Sequence, residues 1–153
     1  MRAIVDPKLL SDHNQSSAMS VVEELVTATG KALLENDFPN FSRRFMFPHF
    51  VVTQSCDREV RSVDELRITF DAVIDHYRLS GVDRMERYCV FGNFIDNTTI
   101  ECAHESRLFH SDTPVQQPFI AQSILKRHCG EWKIYSTEYL ISDSLRYLRA
   151  LIQ

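Results

Sequence analysis

The feature that most constrains the fold is a succession of four strand-like segments in the second half of the chain. These segments are rich in β-branched and aromatic residues, short turn-like stretches separate them, and they cover residues 86–95, 98–110, 118–128 and 132–141. Segments so close in sequence pair most readily as an antiparallel meander. The residues before Gly81 predict helices, which can bury one face of that sheet. We therefore predict an α+β fold in which N-terminal helices pack on a curved antiparallel sheet.

Length and composition are those of one globular domain. The chain has 153 residues, of which 44% are hydrophobic and 25% charged, and its formal net charge is -4. Without a surplus of positive charge, it is not expected to bind nucleic acid or an anionic membrane surface. No apolar segment approaches the roughly 20 residues of a membrane span. The four cysteines include no Cys-x-x-Cys pair and no secretory signal precedes them, so we expect reduced thiols and a cytoplasmic protein.

Helix and turn signals organise the first half of the chain. A first helix is predicted over residues 20–36, with Ser20 as its N-cap. The clearest helix begins at Ser62, whose capping-box partner is Glu65, and ends at Gly81. The remaining predictions are a flexible lead-in over 1–17 before a single domain over 18–153, a short helix over 41–46, a strand over 50–54, a charged turn over 55–61 and a terminal helix over 142–153.

Three segments carry a resemblance to a known superfamily. They are residues 32–41 (ALLENDFPNF), residues 62–66 (SVDEL) and the closing segment 126–134 (KRHCGEWKI). Over residues 18–141 the chain resembles the nuclear transport factor 2-like superfamily, in particular its SnoaL-like and ketosteroid isomerase-like branches. The resemblance implies a cone-shaped α+β fold and a cavity between the concave face of the sheet and the helices. It also implies a homodimer formed through the sheet.

The resemblance leaves several functions open. Some members are isomerases, dehydratases, cyclases or epoxide hydrolases that act on hydrophobic small molecules, and others only bind or assemble. We therefore expect a hydrophobic small-molecule ligand, and a cofactor-free isomerase, dehydratase or cyclase. The alternatives are a non-catalytic binding or assembly module and the small subunit of a larger enzyme. The carboxylate base of the isomerase branch has no clean counterpart in the predicted strand 50–54 (FVVTQ).

Strict alternation along a hairpin that turns at Asp96 and Asn97 predicts which residues share a sheet face. One face would hold Cys89, Phe91, Asn93, Ile100, Cys102, His104 and Ser106, and the other Tyr88, Val90, Phe94, Glu101, Ala103, Glu105 and Arg107. The first face is mostly small or apolar, which suits either a pocket or a filled core. A slip of one residue in the register would exchange the two faces.

Three residues are candidates for proton transfer. His104 lies at mid-strand among apolar neighbours, His49 follows an aromatic cluster, and Tyr77 lies on the apolar stripe of the second long helix. The alternatives are a hydrogen-bonded core histidine, an exposed loop histidine and a core tyrosine, respectively. No His, Cys or Asp cluster has the spacing of a metal site, and we expect no cofactor. The predicted pocket lining is Phe45, Phe91, Asn93, Cys102, Ser136 and Glu138, the last two if Trp132 on the same strand face packs inward.

Overall fold

The structure is a computed structural model that describes residues 7–140, without the side chains of residues 7–13, 15 and 16. Within this range, three helices pack against one curved sheet, which confirms the predicted α+β fold. The predicted terminal helix over 142–153 lies outside the described residues. The helices are α1 (Pro7–Leu34), α2 (Phe38–Ser42) and α3 (Val63–Ser80), and the strands are β1 (Phe45–Val52), β2 (Asp57–Val60), β3 (Arg84–Asp96), β4 (Thr99–His110), β5 (Thr113–Pro114), β6 (Phe119–His128) and β7 (Glu131–Leu140).

The sheet of the described residues has the strand order β2-β1-β7-β6-β4-β3, with the short β5 beside β4. The four predicted strands are β3, β4, β6 and β7, and each pairs antiparallel with its neighbour. However, β1 pairs with β7 in parallel, so the sheet is mixed and not wholly antiparallel. A parallel pair needs a long connection, which the segment with α3 and the meander provides.

Helix α3 has the ends that its sequence predicts. The hydroxyl of Ser62 accepts a hydrogen bond from the backbone N–H of Glu65 at 3.2 Å, and the Glu65 carboxylate accepts one from the N–H of Arg61 at 2.8 Å. Gly81 ends the helix in the left-handed conformation, with φ of 71°. The buried face of the helix carries Leu66, Thr69, Phe70, Val73, His76 and Tyr77.

Helix α1 is longer than predicted. It begins at Pro7, a residue that the first turn of a helix tolerates, and it continues through Ser20, which is therefore not an N-cap. Contacts with the sheet explain the extension: the Asn14 side chain accepts a hydrogen bond from the N–H of Phe94 at 3.2 Å, and Ala18 is fully buried. The described part of the expected lead-in thus belongs to α1.

Two other boundaries differ from the prediction. Helix α2 begins earlier because Asp37 caps it, accepting a hydrogen bond from the N–H of Asn40 at 3.3 Å. The strand after it begins at Phe45, before the predicted start. The expected charged turn over 55–61 contains β2, which pairs with β1 and whose Val60 is fully buried. That one apolar anchor in a charged segment was too weak a signal to predict a strand.

The helices cover one face of the sheet, which we call the inner face and which carries Ile100, Cys102 and His104 on β4. The opposite, outer face carries Glu101 and Glu105 on the same strand. No helix within residues 7–140 has both the length and the apolar character needed to cross a membrane. The core between helices and inner face includes Val22, Leu25, Phe70, Ile100, Leu108, Phe119 and Leu125.

Candidate functional site

A cavity lies between the inner face of the sheet and helices α1 and α3. It leaves about 80 Å³ for the centres of water-sized molecules, enough for several waters. Most of its wall is apolar and includes Val22, Val26, Leu33, Phe41, Phe70 and Leu125. The residues of the wall with polar side-chain groups are Thr29, His49, Thr69, Arg87, Cys102, His104, Ser123, Thr137 and Tyr139. The cavity is therefore an apolar chamber with a few polar points, as in most small-molecule sites.

His104 lines this cavity from the middle of β4, and only 9% of its surface is exposed. No described residue forms a hydrogen bond with its ring nitrogens, and neither nitrogen is completely covered. Burial, and secondarily the positive charge of Arg87, lowers the pKa of His104 to about 3. The imidazole is therefore neutral at pH 7, with one N–H to donate and one nitrogen to accept.

His49 lines the same cavity from β1 and is held in a fixed orientation. Its Nδ1 lies 3.1 Å from the backbone carbonyl of Tyr135, and its ring stands edge-on to that of Phe45, with centroids 4.9 Å apart. Because a carbonyl only accepts, Nδ1 carries the hydrogen and Nε2 is the basic nitrogen. Burial lowers the pKa of His49 to about 4, against the raising effect of the backbone hydrogen bonds.

Arg87 brings a positive charge to the cavity from β3. Its Nη1 donates to the carbonyl of Val26 at 3.2 Å and to the hydroxyl of Thr29 at 2.9 Å, both on α1. Gly30 leaves room for it: a Cβ there would lie 3.3 Å from Cδ of Arg87. The guanidinium is thus fixed against the helix.

A second polar group in the cavity wall lies where β4, β6 and β7 meet. The hydroxyls of Ser123 and Thr137 are 3.2 Å apart, and the thiol of Cys102 donates to the carbonyl of Ser123 at 3.5 Å. Burial raises the pKa of Cys102 to about 12, so its thiol is protonated and unreactive at neutral pH. These groups already bond to each other and provide a weakly polar patch.

The structure brings four of the predicted site residues to the cavity and leaves five outside its wall. His104, His49, Phe45 and Cys102 line it. Tyr77 is buried on α3, with 4% of its surface exposed, but it does not line the cavity. Phe91, Asn93, Ser136 and Glu138 are likewise absent from the wall.

A β-bulge explains why Phe91 and Asn93 do not line the cavity. Cys89 pairs with His104, but the next pair is Phe91 with Ala103, so β3 holds one extra residue at this point. Alternation restarts after the bulge, and Asn93 pairs with Glu101 on the outer face.

A second bulge, in β7, moves Ser136 and Glu138 in the same way. Leu125 of β6 pairs with Ile134, while the adjacent Ile124 pairs with Ser136, so Tyr135 is the extra residue. Beyond it, Thr137 and Tyr139 line the cavity, and Glu138 is exposed on the other face.

Sequence reasoning missed Arg87 and the hydroxyl residues of the wall. Extending the inner face of β3 back by two residues from Cys89 would have reached Arg87, and Thr29 lies on the buried stripe of α1. The missed members of the polar wall are Thr29, Thr69, Arg87, Ser123, Thr137 and Tyr139.

The residues of the wall limit the chemistry of the site. None of the described residues in it is Asp or Glu, so a base there would be an imidazole. Within residues 7–140, no group of three or more His, Cys, Asp or Glu side chains is placed to hold a metal ion. The arrangement can accept, donate and transfer protons, and it can attract a negative charge at Arg87.

Solved structures share this fold at low sequence identity. An NTF2-like protein of unknown function from Shewanella oneidensis superposes with a TM-score of 0.62 and 10% identity, over 78% of this chain and 96% of that one. A ketosteroid isomerase-like protein from Erwinia carotovora atroseptica gives 0.57 and 15%, over 81% and 97%. A domain of unknown function with a cystatin-like fold from Nostoc punctiforme gives 0.64 and 13%, over 89% and 84%.

Comparisons of sequence alone give no relative. No protein-family model matches the chain, and no curated protein matches it. At sequence identities of 10–15%, structural similarity shows that the fold is shared. The chain therefore has the fold of the nuclear transport factor 2-like superfamily, as the resemblance of its sequence implied.

Proposed function

We propose that the protein binds a compact, largely apolar organic molecule in the cavity, with His104 as the main polar contact. The observation that carries the proposal is the placement of this imidazole: it lines an apolar cavity and bonds to no described residue. A buried polar group without a partner costs free energy. A ligand hydroxyl or carbonyl would remove that cost, because neutral imidazole both donates and accepts.

A second candidate function is proton transfer by a cofactor-free isomerase, dehydratase or cyclase. The observation that favours it is the orientation of His49, whose Nδ1–H···O bond to Tyr135 leaves Nε2 as the base. A pKa of about 4 makes this nitrogen a weak base that is always available at neutral pH. Carboxylate bases of about this strength, with pKa values of about 4.6, abstract protons next to a carbonyl in other enzymes. One structural neighbour is named ketosteroid isomerase-like.

Two further proposals concern assembly and location. We propose a homodimer formed through the outer face of the sheet, because Tyr88, Ile120 and Leu140 lie exposed in one row across that face. We also propose a reducing, cytoplasmic location, since none of the four cysteines is paired in a disulfide. A binding or assembly module, or the small subunit of a larger enzyme, would use the same outer face with an inert cavity.

The binding proposal is tested with ligand-observed NMR on a panel of compact cyclic alcohols and ketones. The wild type should bind members of the panel, and His104→Phe should weaken that binding by about tenfold or more, the worth of one hydrogen bond. His128→Phe is the matched control, because His128 is exposed on the last residue of β6 and away from the cavity wall. Equal loss in both variants, or no binding by the wild type, would refute the proposal.

Catalysis is tested separately by hydrogen exchange. The wild type in D₂O should accelerate deuterium incorporation next to the carbonyl of a bound ketone, and His49→Gln should abolish the acceleration while ketone binding persists. Binding without exchange in the wild type would favour the non-catalytic alternative.

A further inference from the structure

We infer that the natural ligand carries one negatively charged oxygen group, as a small monocarboxylic acid does, and that Arg87 binds this group. The inference rests on the proposed function, because it identifies which molecules the same cavity accepts. It makes Arg87 the residue that determines specificity, and it makes the apolar wall the surface for the rest of the molecule.

The first argument is an uncompensated charge. Arg87 is half-buried, and no described carboxylate lies within salt-bridge distance of it, although eight other ion pairs occur in this part of the chain. The cavity wall that it joins contains no described Asp or Glu. A charge that is partly removed from water without a charge of opposite sign nearby costs free energy. An anion bound beside Arg87 would reduce that cost.

The second argument is the fixed geometry of the guanidinium. Nη1 is occupied by Val26 and Thr29, and Nε is completely buried without a hydrogen-bond partner, close to Gly30. Nη2 remains: no described residue accepts a hydrogen bond from it, and it is not completely covered. Held at Nη1 and free at Nη2, the group is preorganised to donate to an anion.

The third argument is the relation of Arg87 to His104. Both line the cavity, and they are close enough for the charge of Arg87 to lower the pKa of the imidazole. A carboxylate between them has two acceptor oxygens, one for Nη2 and one for the single N–H of the neutral ring. No described second cation lines the cavity, so the charge on the ligand should be one.

The experiment compares ligands that differ only in charge. Cyclohexanecarboxylate and cyclohexylmethanol, and benzoate and benzyl alcohol, are titrated into the wild type, Arg87→Gln and Arg87→Lys at pH 7. In the wild type each acid should bind at least about tenfold tighter than its alcohol, as expected for a hydrogen bond to a charged group. Arg87→Gln should remove this preference, and Arg87→Lys should keep part of it.

Two controls keep a structural effect apart from a charge effect. Arg107→Gln removes an exposed arginine of the outer face and should leave the preference intact. Alcohol binding, measured in every variant, reports whether the cavity is intact. If the alcohol binds the wild type as tightly as the acid, the inference is wrong while the proposed function stands. If neither binds, both are wrong.

Discussion

Gly30 of α1 lies directly against Arg87 of β3. A Cβ atom at position 30 would lie 3.3 Å from Cδ and 3.5 Å from Nε of this arginine, and 3.1 Å from Sδ of Met85. Glycine inside a helix costs up to about 1 kcal/mol relative to alanine. Gly30 therefore lowers the intrinsic stability of α1, and its lack of a side chain allows Arg87 to pack closely against the helix in the cavity wall.

The first prediction concerns this contact. Gly30→Ala should raise the free energy of unfolding by clearly less than the roughly 1 kcal/mol of an unhindered helical site, because Met85 and Arg87 must shift. Urea denaturation measures the change. Lys31 is the neighbouring, exposed control position. The free energies of unfolding of Lys31→Gly and Lys31→Ala should differ by the full amount of roughly 1 kcal/mol. An equal gain at both positions would show that Gly30 is not needed for packing.

A second glycine, Gly92 in β3, lies against the backbone of α1. A Cβ there would lie 3.2 Å from the backbone nitrogen of Met19 and 3.3 Å from the carbonyl carbon of Ala18. Backbone atoms cannot turn aside as a long side chain can, so Gly92→Ala should lower the free energy of unfolding by about 1–3 kcal/mol. Chemical denaturation tests this, with Asn93→Ala on the outer face expected to change stability by less than about 0.5 kcal/mol.

The bulges show where sequence reasoning succeeded and where it could not succeed. The face of β4 that carries Cys102 and His104 was predicted correctly. Neither the pairing of β4 with β3 nor its pairing with β6 leaves an extra residue in β4, so strict alternation holds along this strand. Asn93 and Glu138 were misplaced because each follows a bulge, and one extra residue inverts every later side chain. Gly92 lies two residues after the extra residue of β3, Val90, and a glycine inside a strand is a signal for such an irregularity. The segment around Tyr135 contains no glycine or proline that indicates its bulge.

The helices show the same division between local and tertiary causes. The ends of α3 were predictable because Ser62 and Gly81 are local signals with strong conformational preferences. The start of α1 was not, because Ser20 is an equally good cap that contacts with β3 override. The aromatic cluster before His49 made this residue a candidate, and it lines the cavity, whereas Arg87 could be identified only from the register of the sheet.

The third prediction concerns stability in acid. The folded-state pKa values of His49 and His104, about 4 and about 3, are below the ordinary value of 6.5. Between pH 4 and 6 the unfolded chain therefore binds more protons, and the free energy of unfolding rises with pH. Each histidine contributes at most about 1.4 kcal/mol per pH unit to this rise. Its stabilising effect is complete above pH 6.5 and is lost as pH falls toward the folded-state pKa.

Denaturation of histidine variants measures these contributions. The slope of the unfolding free energy against pH should be smaller in His104→Gln between pH 4 and 6. The decrease should correspond to about one proton, or about 1.4 kcal/mol per pH unit, and it should be somewhat less in His49→Gln. The exposed His128→Gln should leave the slope as it is. A slope that is the same in the wild type and in His104→Gln would mean that this imidazole becomes protonated in the folded protein as readily as in the unfolded one.

The fourth prediction concerns assembly through the outer face. Ile120 of β6 lies there with 36% of its surface exposed, next to Leu140 of β7 in the same row. If two such faces pack together, Ile120→Glu buries a charge at the interface and should shift the protein to a monomer mass in sedimentation at micromolar concentration. Ile68→Glu is the matched control, because Ile68 is 56% exposed on α3 and should leave the dimer intact. A monomer mass for the wild type at the same concentration would contradict the proposed dimer.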